Sequence, residues 1–170
     1  DALGKASAEK PICVPRFDKG RDDRCEPALW PAIAEPPNLV VFEGWCLGVK
    51  PAEDAGTLVA PINPLERDED PDGRWRRWVD ARLAGYLPVW ERIDAQVLLR
   101  APSWEIVATW RAEAEAPLRE RGEPGAMDGP ALSRFLQHYE RISRRALETL
   151  EAKADMVICL DEERHASWLE

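Results

Sequence analysis

Short apolar runs alternate along the chain with longer segments whose apolar residues recur every three or four positions. The short runs are typical of buried strands, and the longer segments are typical of amphipathic helices. Strands are predicted at residues 11–17, 39–43, 95–102 and 155–161. Helices are predicted at residues 73–93, 103–122 and 129–153, with a helical turn or two at 26–34. This alternation predicts a parallel α/β sheet with crossover helices.

Local signals mark where the predicted helices begin and end. Ser103 and Asp128 are expected to cap the second and third long helices, because their side-chain oxygens can accept free backbone N–H groups. Gly122 follows the end of the second helix, and Pro88 is expected to kink or end the first. Residues 44–72 are rich in Pro, Asp and Gly, so we expect a long loop there. Loops of that length are often functional.

Composition narrows the class of protein. The chain has 170 residues, 45% of them apolar, and we expect one domain over residues 1–170. The net charge of −9 argues against binding to nucleic acid or to an anionic membrane. We see no secretory signal and no apolar run of about 20 residues that could span a membrane. The four cysteines are widely spaced, which favours free thiols and a cytoplasmic location. The pattern favours no particular oligomeric state.

The stretch LVVFEGWCLG, at residues 39–48, places an acid at the end of an apolar run. A polar residue at the end of a strand is common. Ligands, however, bind at the carboxyl edge of parallel sheets, and a carboxylate there can hold hydrated magnesium beside phosphates. Glu43 could therefore be an ordinary polar residue at a strand end or a carboxylate that holds magnesium. Gly44 would let the chain turn close to a ligand. Other residues just past predicted strands are also candidates: Asp18, Lys19, Trp45 and Asp161.

The segment PRFDKGRDDR combines acids and bases in one loop. Asp18 could accept a proton from a hydroxyl group or hold that group in place. Lys19 and Arg24 could bind an anionic group of a substrate. The alternative is a salt-bridged surface loop, and the residue pattern leaves both possibilities open.

A stripe of basic residues follows one face of the third long helix. Charged stripes are usually solvated helix faces. Guanidinium groups, however, match phosphate oxygens in bidentate geometry and stabilise a transferring phosphoryl group. Both interpretations remain open for the stripe, which consists of Arg134, His138, Arg141 and Arg145, with Arg144 beside it.

Six segments in a fixed order resemble the D-glycerate 3-kinase family and its close kinase relatives. They are PRFDKGRDDR, VVFEGWCLG, PINPLERDEDPDGRWRRWVD, APSWEIVATWR, FLQHYERISR and ADMVICLD, and together they cover nearly the whole chain. The relatives of this family are P-loop kinases such as uridine kinase, phosphoribulokinase and pantothenate kinase. The resemblance implies a P-loop NTPase-type parallel sheet with flanking helices. It also implies transfer of the γ-phosphoryl group of ATP, with Mg2+, to a small-molecule substrate, D-glycerate or a similar hydroxy acid.

The resemblance also implies roles for particular residues. Glu43 would lie near the metal, and the run YER-x-x-R would resemble a lid that closes on the phosphates. The implied catalytic residues are Glu43, Asp18, Arg141 and Arg144. The implied substrate-binding residues are Lys19, Arg24 and Trp45. The implied cofactor-binding residues are Tyr139, Arg145 and Asp161.

One element of the family pattern is absent from the sequence. The phosphate-binding motif G-x-x-x-x-G-K-[ST] does not occur, and Gly4-Lys5 is followed by Ala6 instead of Ser or Thr. We therefore expect the C-terminal part of such a kinase, missing its N-terminal strand–P-loop–helix and inactive alone. Two alternatives are a non-catalytic module that binds a phosphorylated metabolite or partner protein through the arginine face, and an incompletely folded piece with an exposed sheet edge.

Overall fold

The computed structural model describes residues 3–18, 21, 23–123 and 125–168. The chain divides into two units, Asp1–Glu43 and Gly44–Glu170, and each is described here by itself. The expectation of one domain over residues 1–170 stays a prediction. Lys19, one of the predicted substrate-binding residues, lies outside the described residues.

The N-terminal unit contains two small antiparallel ladders. Strand β1 (Ile12–Cys13) pairs with β4 (Ala32–Ile33), and β2 (Phe17–Asp18) pairs with β3 (Asp23–Arg24). A 3-10 turn at Pro27–Leu29 precedes β4. The single strand predicted at residues 11–17 is therefore two short strands in different ladders. Pro15 lies between the two strands and explains the interruption, because proline has no N–H group to donate to a ladder.

The strand predicted at residues 39–43 was wrong. The structure has no strand there, and no ladder partner lies opposite this segment among the described residues. Leu39 and Val41 are each 78% exposed, and the neighbouring Val40 and Phe42 are also exposed. An apolar run forms a strand only when a neighbouring strand and a packed face are present to receive it.

The C-terminal unit is built on a three-stranded sheet with the order β5-β6-β7. Strand β5 (Val97–Arg100) is parallel to β6 (Met156–Leu160), and β7 (Ala166–Trp168) is antiparallel to β6. The strands predicted at 95–102 and 155–161 are confirmed. Strand β7 was not predicted, because the residues around it show no apolar run, and it makes the sheet mixed. The mixed α/β class is confirmed, whereas the P-loop type of sheet stays a prediction.

The described part of the C-terminal unit also contains five α-helices. They are α1 (Pro64–Glu69), α2 (Arg74–Leu83), α3 (Leu87–Trp90), α4 (Trp104–Glu120) and α5 (Gly129–Thr149). The predicted long helix at 73–93 is interrupted by a 3-10 turn at Ala84–Tyr86 before α3, whose first turn contains Pro88. Residues 44–72 are not entirely loop, since they contain α1 and a 3-10 turn at Ala55–Leu58.

The helix caps are where the sequence indicated them. Ser103 Oγ accepts a hydrogen bond from the N–H of Ile106 at 3.4 Å, and Asp128 Oδ1 accepts one from the N–H of Ala131 at 2.8 Å. Gly122 follows α4 with a φ of 65°. These interactions are local, so they could be predicted from spacing alone.

Helix α5 is central to the core of the C-terminal unit. Ile142 on α5 packs with Val49, Leu83 and Leu150, and Leu98 of β5 packs against this cluster. The polar side of α5 is thereby left to contact the loop that precedes α2. In the described part of the chain, no helix has the length and apolar character that a membrane crossing needs.

Gly48, rather than Gly44, is the glycine that the turn before Val49 requires. Its φ is 85°, and a Cβ atom added there would lie 2.6 Å from Gln96 Nε2. Gly44 has neither feature, because a Cβ atom added at Gly44 would meet only Leu47 Cδ1 at 3.5 Å. We predict that Gly48→Ala lowers the free energy of unfolding by about 1–3 kcal/mol, measured by urea denaturation.

Gly85→Ala is the matched control for this substitution. No atom lies within 4 Å of a Cβ at Gly85. We expect no loss of stability there, or a gain of about 0.4–1 kcal/mol from the less flexible unfolded chain. Equal stabilities for the two variants would contradict the role assigned to Gly48.

Candidate functional site

Arg141 fastens the loop before α1 to helix α5. Its Nε donates to Glu66 Oε1 at 2.8 Å, and its Nη1 donates to the carbonyl of Thr57 at 2.7 Å. Its Nη2 donates to the carbonyl of Ala60 at 2.7 Å and also to Glu66 Oε2. Glu66 has 0% exposure, so its charge needs a buried partner. Arg141 supplies that partner and uses four of its five N–H groups in doing so.

The start of α1 places Glu66 for this contact. Asn63 Oδ1 accepts the N–H of Glu66 at 3.0 Å, and Glu66 Oε2 accepts the N–H of Ile62 at 3.1 Å. The amide nitrogen of Asn63 donates to Glu140 Oε2 on α5 at 3.1 Å. A capping residue followed by Glu at the third helical position is a known helix start. The same residues that begin α1 therefore also connect it to α5.

Arg145, one turn after Arg141, makes a second connection from α5. Its Nη1 donates to Asp80 Oδ1 on α2 and, at 3.2 Å, to the carbonyl of Lys50. Asp80 Oδ1 also accepts the N–H of Ala52 at 3.0 Å. This pair therefore joins α5, α2 and the chain that follows Val49.

A third arginine–carboxylate pair lies at the start of α2 and was not predicted. Arg76 is 2% exposed, and it donates to Asp70 Oδ2 at 3.1 Å and to the carbonyl of Leu58 at 2.7 Å. Burial alone would raise the pKa of the Asp70 carboxyl. The N–H groups of Trp75 and Arg76 and the Arg76 guanidinium outweigh that effect, so the pKa lies below its ordinary value. Asp70 is thus held as a carboxylate.

The basic stripe on α5 was interpreted either as a solvated helix face or as a phosphate-binding face, and these contacts affect both interpretations. Arg141 and Arg145 are not on a freely solvated face, because they hold carboxylates and carbonyls of the preceding loop. Arg134 donates to Glu69 at 2.8 Å, and the His138 ring meets Trp75 edge-on. Contact of Arg141 or Arg145 with phosphate stays a prediction, and it would require exchange of the bonds that they make here.

Arg144 points to α4 instead. Its Nη2 donates to Glu105 Oε1 at 2.7 Å, and its Nε donates to Glu140 Oε1 at 2.9 Å. The pKa of the Glu105 carboxyl is lowered to about 2, first by its own backbone N–H, then by Arg144 and by the Ser103 hydroxyl. Arg144 therefore joins α5 to the first turn of α4.

Trp45 packs against Tyr139 and Phe135 of α5, so two of the predicted site residues, Trp45 and Tyr139, lie together. Trp45 Nε1 donates to Ser143 Oγ at 2.9 Å. The Trp45 and Tyr139 ring centroids lie 4.7 Å apart in edge-to-face geometry, and Phe135 lies 4.7 Å from Tyr139 on the other side. Trp45 is 53% exposed, so one side of this row is open to a ligand. We call Trp45, Tyr139 and Phe135 the aromatic row.

Cys46, next to Trp45, is not a reactive thiol. Burial raises the pKa of the Cys46 thiol strongly, and a hydrogen bond with Ser143 only partly opposes this. The thiol therefore stays protonated, and it packs against the core beside Val49.

Asp161 follows β6 and closes the turn to β7. Its Oδ1 accepts the N–H of His165 at 2.7 Å, and its Oδ2 lies 3.0 Å from His165 Nδ1. The ligand atoms of Asp161, Glu163 and His165 lie within 4.8 Å of one another, so they are within reach of a single cation. All three residues are exposed, and the bonds between Asp161 and His165 already account for their arrangement. The cofactor-binding role implied for Asp161 stays a prediction.

The remaining predicted site residues belong to the N-terminal unit. Asp18 lies in β2 and accepts the N–H of Arg21 through Oδ1 at 3.3 Å. Arg24 lies opposite Phe17 in the hairpin and is exposed. Glu43 is exposed at the end of this unit. Their catalytic and substrate-binding roles stay predictions.

Sequence reasoning missed the carboxylates that hold the arginines. Asn63-Pro64-x-Glu66 carries a capping signal that could have placed α1 and pointed to Glu66. No such signal pairs Asp70 with Arg76, because an acid and a base at that spacing before a helix are ordinary. Glu115 is also buried, at 1% exposure, and it accepts the N–H of Met127 at 2.8 Å.

The chain is similar to kinases in sequence and to a D-glycerate 3-kinase in fold. No family model matches the chain. It is 31% identical, over 97% of its length, to the chloroplastic D-glycerate 3-kinase of Arabidopsis thaliana. It is 29% identical, also over 97% of its length, to an uncharacterized kinase of Schizosaccharomyces pombe. A D-glycerate 3-kinase structure from Cryptococcus neoformans covers 95% of the chain with a TM-score of 0.69 and 20% identity.

These similarities confirm the resemblance to D-glycerate 3-kinases that the ordered segments indicated. The structural likeness, at its low identity, shows a shared fold. The chain spans only 36% of the Arabidopsis protein, 61% of the S. pombe protein and 60% of the Cryptococcus chain.

We predict that Glu66→Gln lowers the free energy of unfolding by about 3–5 kcal/mol, because it leaves the Arg141 guanidinium without its charge partner. Urea denaturation followed by tryptophan fluorescence measures the change. Asp68→Asn is the matched control, because its partner Arg67 is exposed, and we expect a change below about 1 kcal/mol. Equal losses of unfolding free energy in the two variants would contradict the claim that the buried Glu66–Arg141 pair stabilises the fold more than an exposed pair does.

We predict a pH-dependent contribution from Glu105. Its pKa falls from an ordinary 4.5 to about 2 in the folded chain. The stability that it contributes should therefore be complete above about pH 4.5 and disappear as the pH falls through about 2. The difference in unfolding free energy between the wild type and Glu105→Gln should shrink over that window. A difference that stays constant would contradict this assignment, and Glu120→Gln at the other end of α4 is the control.

Proposed function

We propose that this chain is part of an ATP-dependent kinase that phosphorylates a hydroxyl of D-glycerate or of a similar small hydroxy acid. The observation that carries the proposal is the similarity to a D-glycerate 3-kinase over 97% of the chain. The fold likeness to the Cryptococcus enzyme supports it. When bound, Mg-ATP would supply the phosphoryl group, and the residues of this chain would orient the acceptor and the metal.

In this proposal, Glu43 is the residue that would hold magnesium, because its exposed carboxylate offers the hard oxygen ligands that this ion prefers. Asp18 and Arg24 would serve the acceptor, as an oxygen that orients the hydroxyl and as a cation for the carboxylate. Trp45 and Tyr139 would form an apolar wall, since the aromatic row leaves one side of Trp45 open.

The described residues do not fit a complete phosphate site. Arg141 and Arg145 already donate to carboxylates and carbonyls. The sequence also has no G-x-x-x-x-G-K-[ST] motif whose backbone N–H groups could cradle phosphates. We therefore place the phosphate-binding loop in a further segment of the parent protein. The relatives are long enough to contain such a segment, because this chain spans 36% and 61% of them.

The sheet supports the same proposal. Among the described residues, β5 pairs on one side only, with β6. Val97 and Leu99 of β5 are 55% and 63% exposed, although they lie on the apolar face of a strand. An exposed edge strand with exposed apolar side chains is a site at which further chain can pair and pack. A strand from the further segment would cover this edge.

The alternative is a module that binds anions through the arginine face of α5. That alternative needs free guanidinium groups. The bonds of Arg141, Arg144 and Arg145 to carboxylates weigh against it. We therefore favour the kinase.

We predict that the isolated chain forms no ADP from Mg-ATP in the presence of D-glycerate, measured with a coupled ADP assay. The longer parent protein, with its phosphate-binding loop, should form ADP in proportion to D-glycerate. In that parent, Glu43→Gln should lower the rate by about a hundredfold or more, because a metal ligand is lost. Glu35→Gln, an exposed acid of the same unit, should leave the rate unchanged.

Two results would contradict the proposal. Turnover by the isolated chain would show that the phosphate site is complete without a further segment. Failure of the parent to phosphorylate D-glycerate and other small hydroxy acids would contradict the reaction itself.

A further inference from the structure

The exposed face of α2 carries positive charge that is not neutralised within the described part of the chain. Arg74, Arg77 and Arg82 lie on this face, and Trp78 lies between them with 57% of its surface exposed. The Arg82 guanidinium lies 4.9 Å from the Trp78 ring. We call these four residues the α2 face.

This absence of counter-charge sets the α2 face apart from most of the C-terminal unit. Ten other arginines of the unit lie within 4.0 Å of a carboxylate oxygen. Among the described residues, no carboxylate lies that close to the guanidinium of Arg74, Arg77 or Arg82. Asp72 is the nearby acid, and it uses its carbonyl for Arg77 Nη1 and its Oδ1 for the N–H of Arg74.

The opposite side of α2 holds this face in place. Arg76 is anchored by Asp70 and by two loop carbonyls, and Asp80 is anchored by Arg145. The helix therefore cannot turn its charged side away without breaking buried ion pairs. A face that is rigid before binding loses little conformational entropy when a partner docks.

Charge and residue type indicate the chemistry of the partner. The three arginines span nine residues of helix, Arg74 to Arg82, which is about 12 Å, with the exposed Trp78 between them. Arginine and tryptophan are the side chains most often found at the energetic centre of protein interfaces. Carboxylates are the matching groups for an arginine row, and an apolar side chain is the matching group for Trp78.

We propose that the α2 face docks an acidic segment of a partner protein, one that carries carboxylates on both sides of an apolar side chain. Nucleic acid and anionic membrane fit less well, because the chain as a whole has a charge of −9 and would be repelled by an extended anionic surface. A short acidic segment meets only the local positive charge. This surface is independent of the kinase proposal, because α2 contributes no residue to the reaction proposed above.

The test is fluorescence anisotropy with a fluorescein-labelled peptide of repeated Asp-Glu-Leu triplets, at low salt. We expect binding that weakens as salt is added. Arg77→Glu combined with Arg82→Glu should weaken it at least about tenfold, and Trp78→Ala alone should weaken it about tenfold. Arg121→Glu is the matched control, because Arg121 is exposed but lies after α4, and it should leave the affinity unchanged. Circular dichroism of each variant checks that the fold is kept.

Several results would overturn the proposal. One is absence of binding by the acidic peptide, and another is equal binding by the charge-reversed variant. Equal binding of a Lys-Lys-Leu repeat peptide would show that charge is not recognised. Binding of phosphatidylserine vesicles without peptide binding would assign the face to a membrane. Self-association by sedimentation that is lost on charge reversal, without peptide binding, would assign it to a second copy of this chain.

Discussion

The structure of the C-terminal unit depends on one buried carboxylate. Glu66 has no exposed surface, so its charge must be met inside the protein, and Arg141 is the cation that meets it. Because Arg141 also binds two carbonyls of the preceding loop, the same pair fixes the path of the loop, the start of α1 and the polar side of α5. Arg145 with Asp80 and Arg76 with Asp70 repeat this arrangement along α2. A segment that is rich in Pro, Asp and Gly is thereby ordered by ion pairs in addition to its buried apolar residues Val49, Leu58 and Leu65.

The ion pairs of α5 and the exposed side chains around Trp45 and Trp78 form two kinds of surface. The arginines of α5 bind carboxylates of other elements and so hold the unit together, whereas Trp45 and the α2 face are exposed. In the proposals above, Trp45 beside Tyr139 is the wall for a small ligand. Trp78 lies among arginines that have no carboxylate within 4.0 Å in the described part of the chain, and it is the surface proposed for a partner protein. A kinase needs both a rigid frame and a phosphate cradle. In the proposed kinase, the described residues would supply the frame, and the cradle would lie in a further segment.

The helix caps were predicted well because they are local, with Ser103 and Asp128 each binding an N–H group three residues on. The strands β5 and β6 were also predicted, because each apolar run has the other as its ladder partner. The features that sequence reasoning missed depend on distant partners. Residues 39–43 have the composition of a strand but no strand beside them among the described residues, and Glu66 and Arg141 are separated by 75 positions. Periodicity showed that the α5 arginines share a face, but it could not show which groups face them.

The most direct test is the NMR signal of the Arg141 Nε–H and Arg145 Nη1–H groups during titration with pyrophosphate. These guanidinium groups are bound to Glu66, Asp80 and loop carbonyls, and phosphate would have to displace those bonds to reach them. We predict that both signals exchange slowly with solvent and keep their positions at millimolar pyrophosphate. Saturable shifts of both signals, with faster exchange of the Glu66-bound proton, would show that these arginines leave their carboxylates for phosphate and would contradict the account.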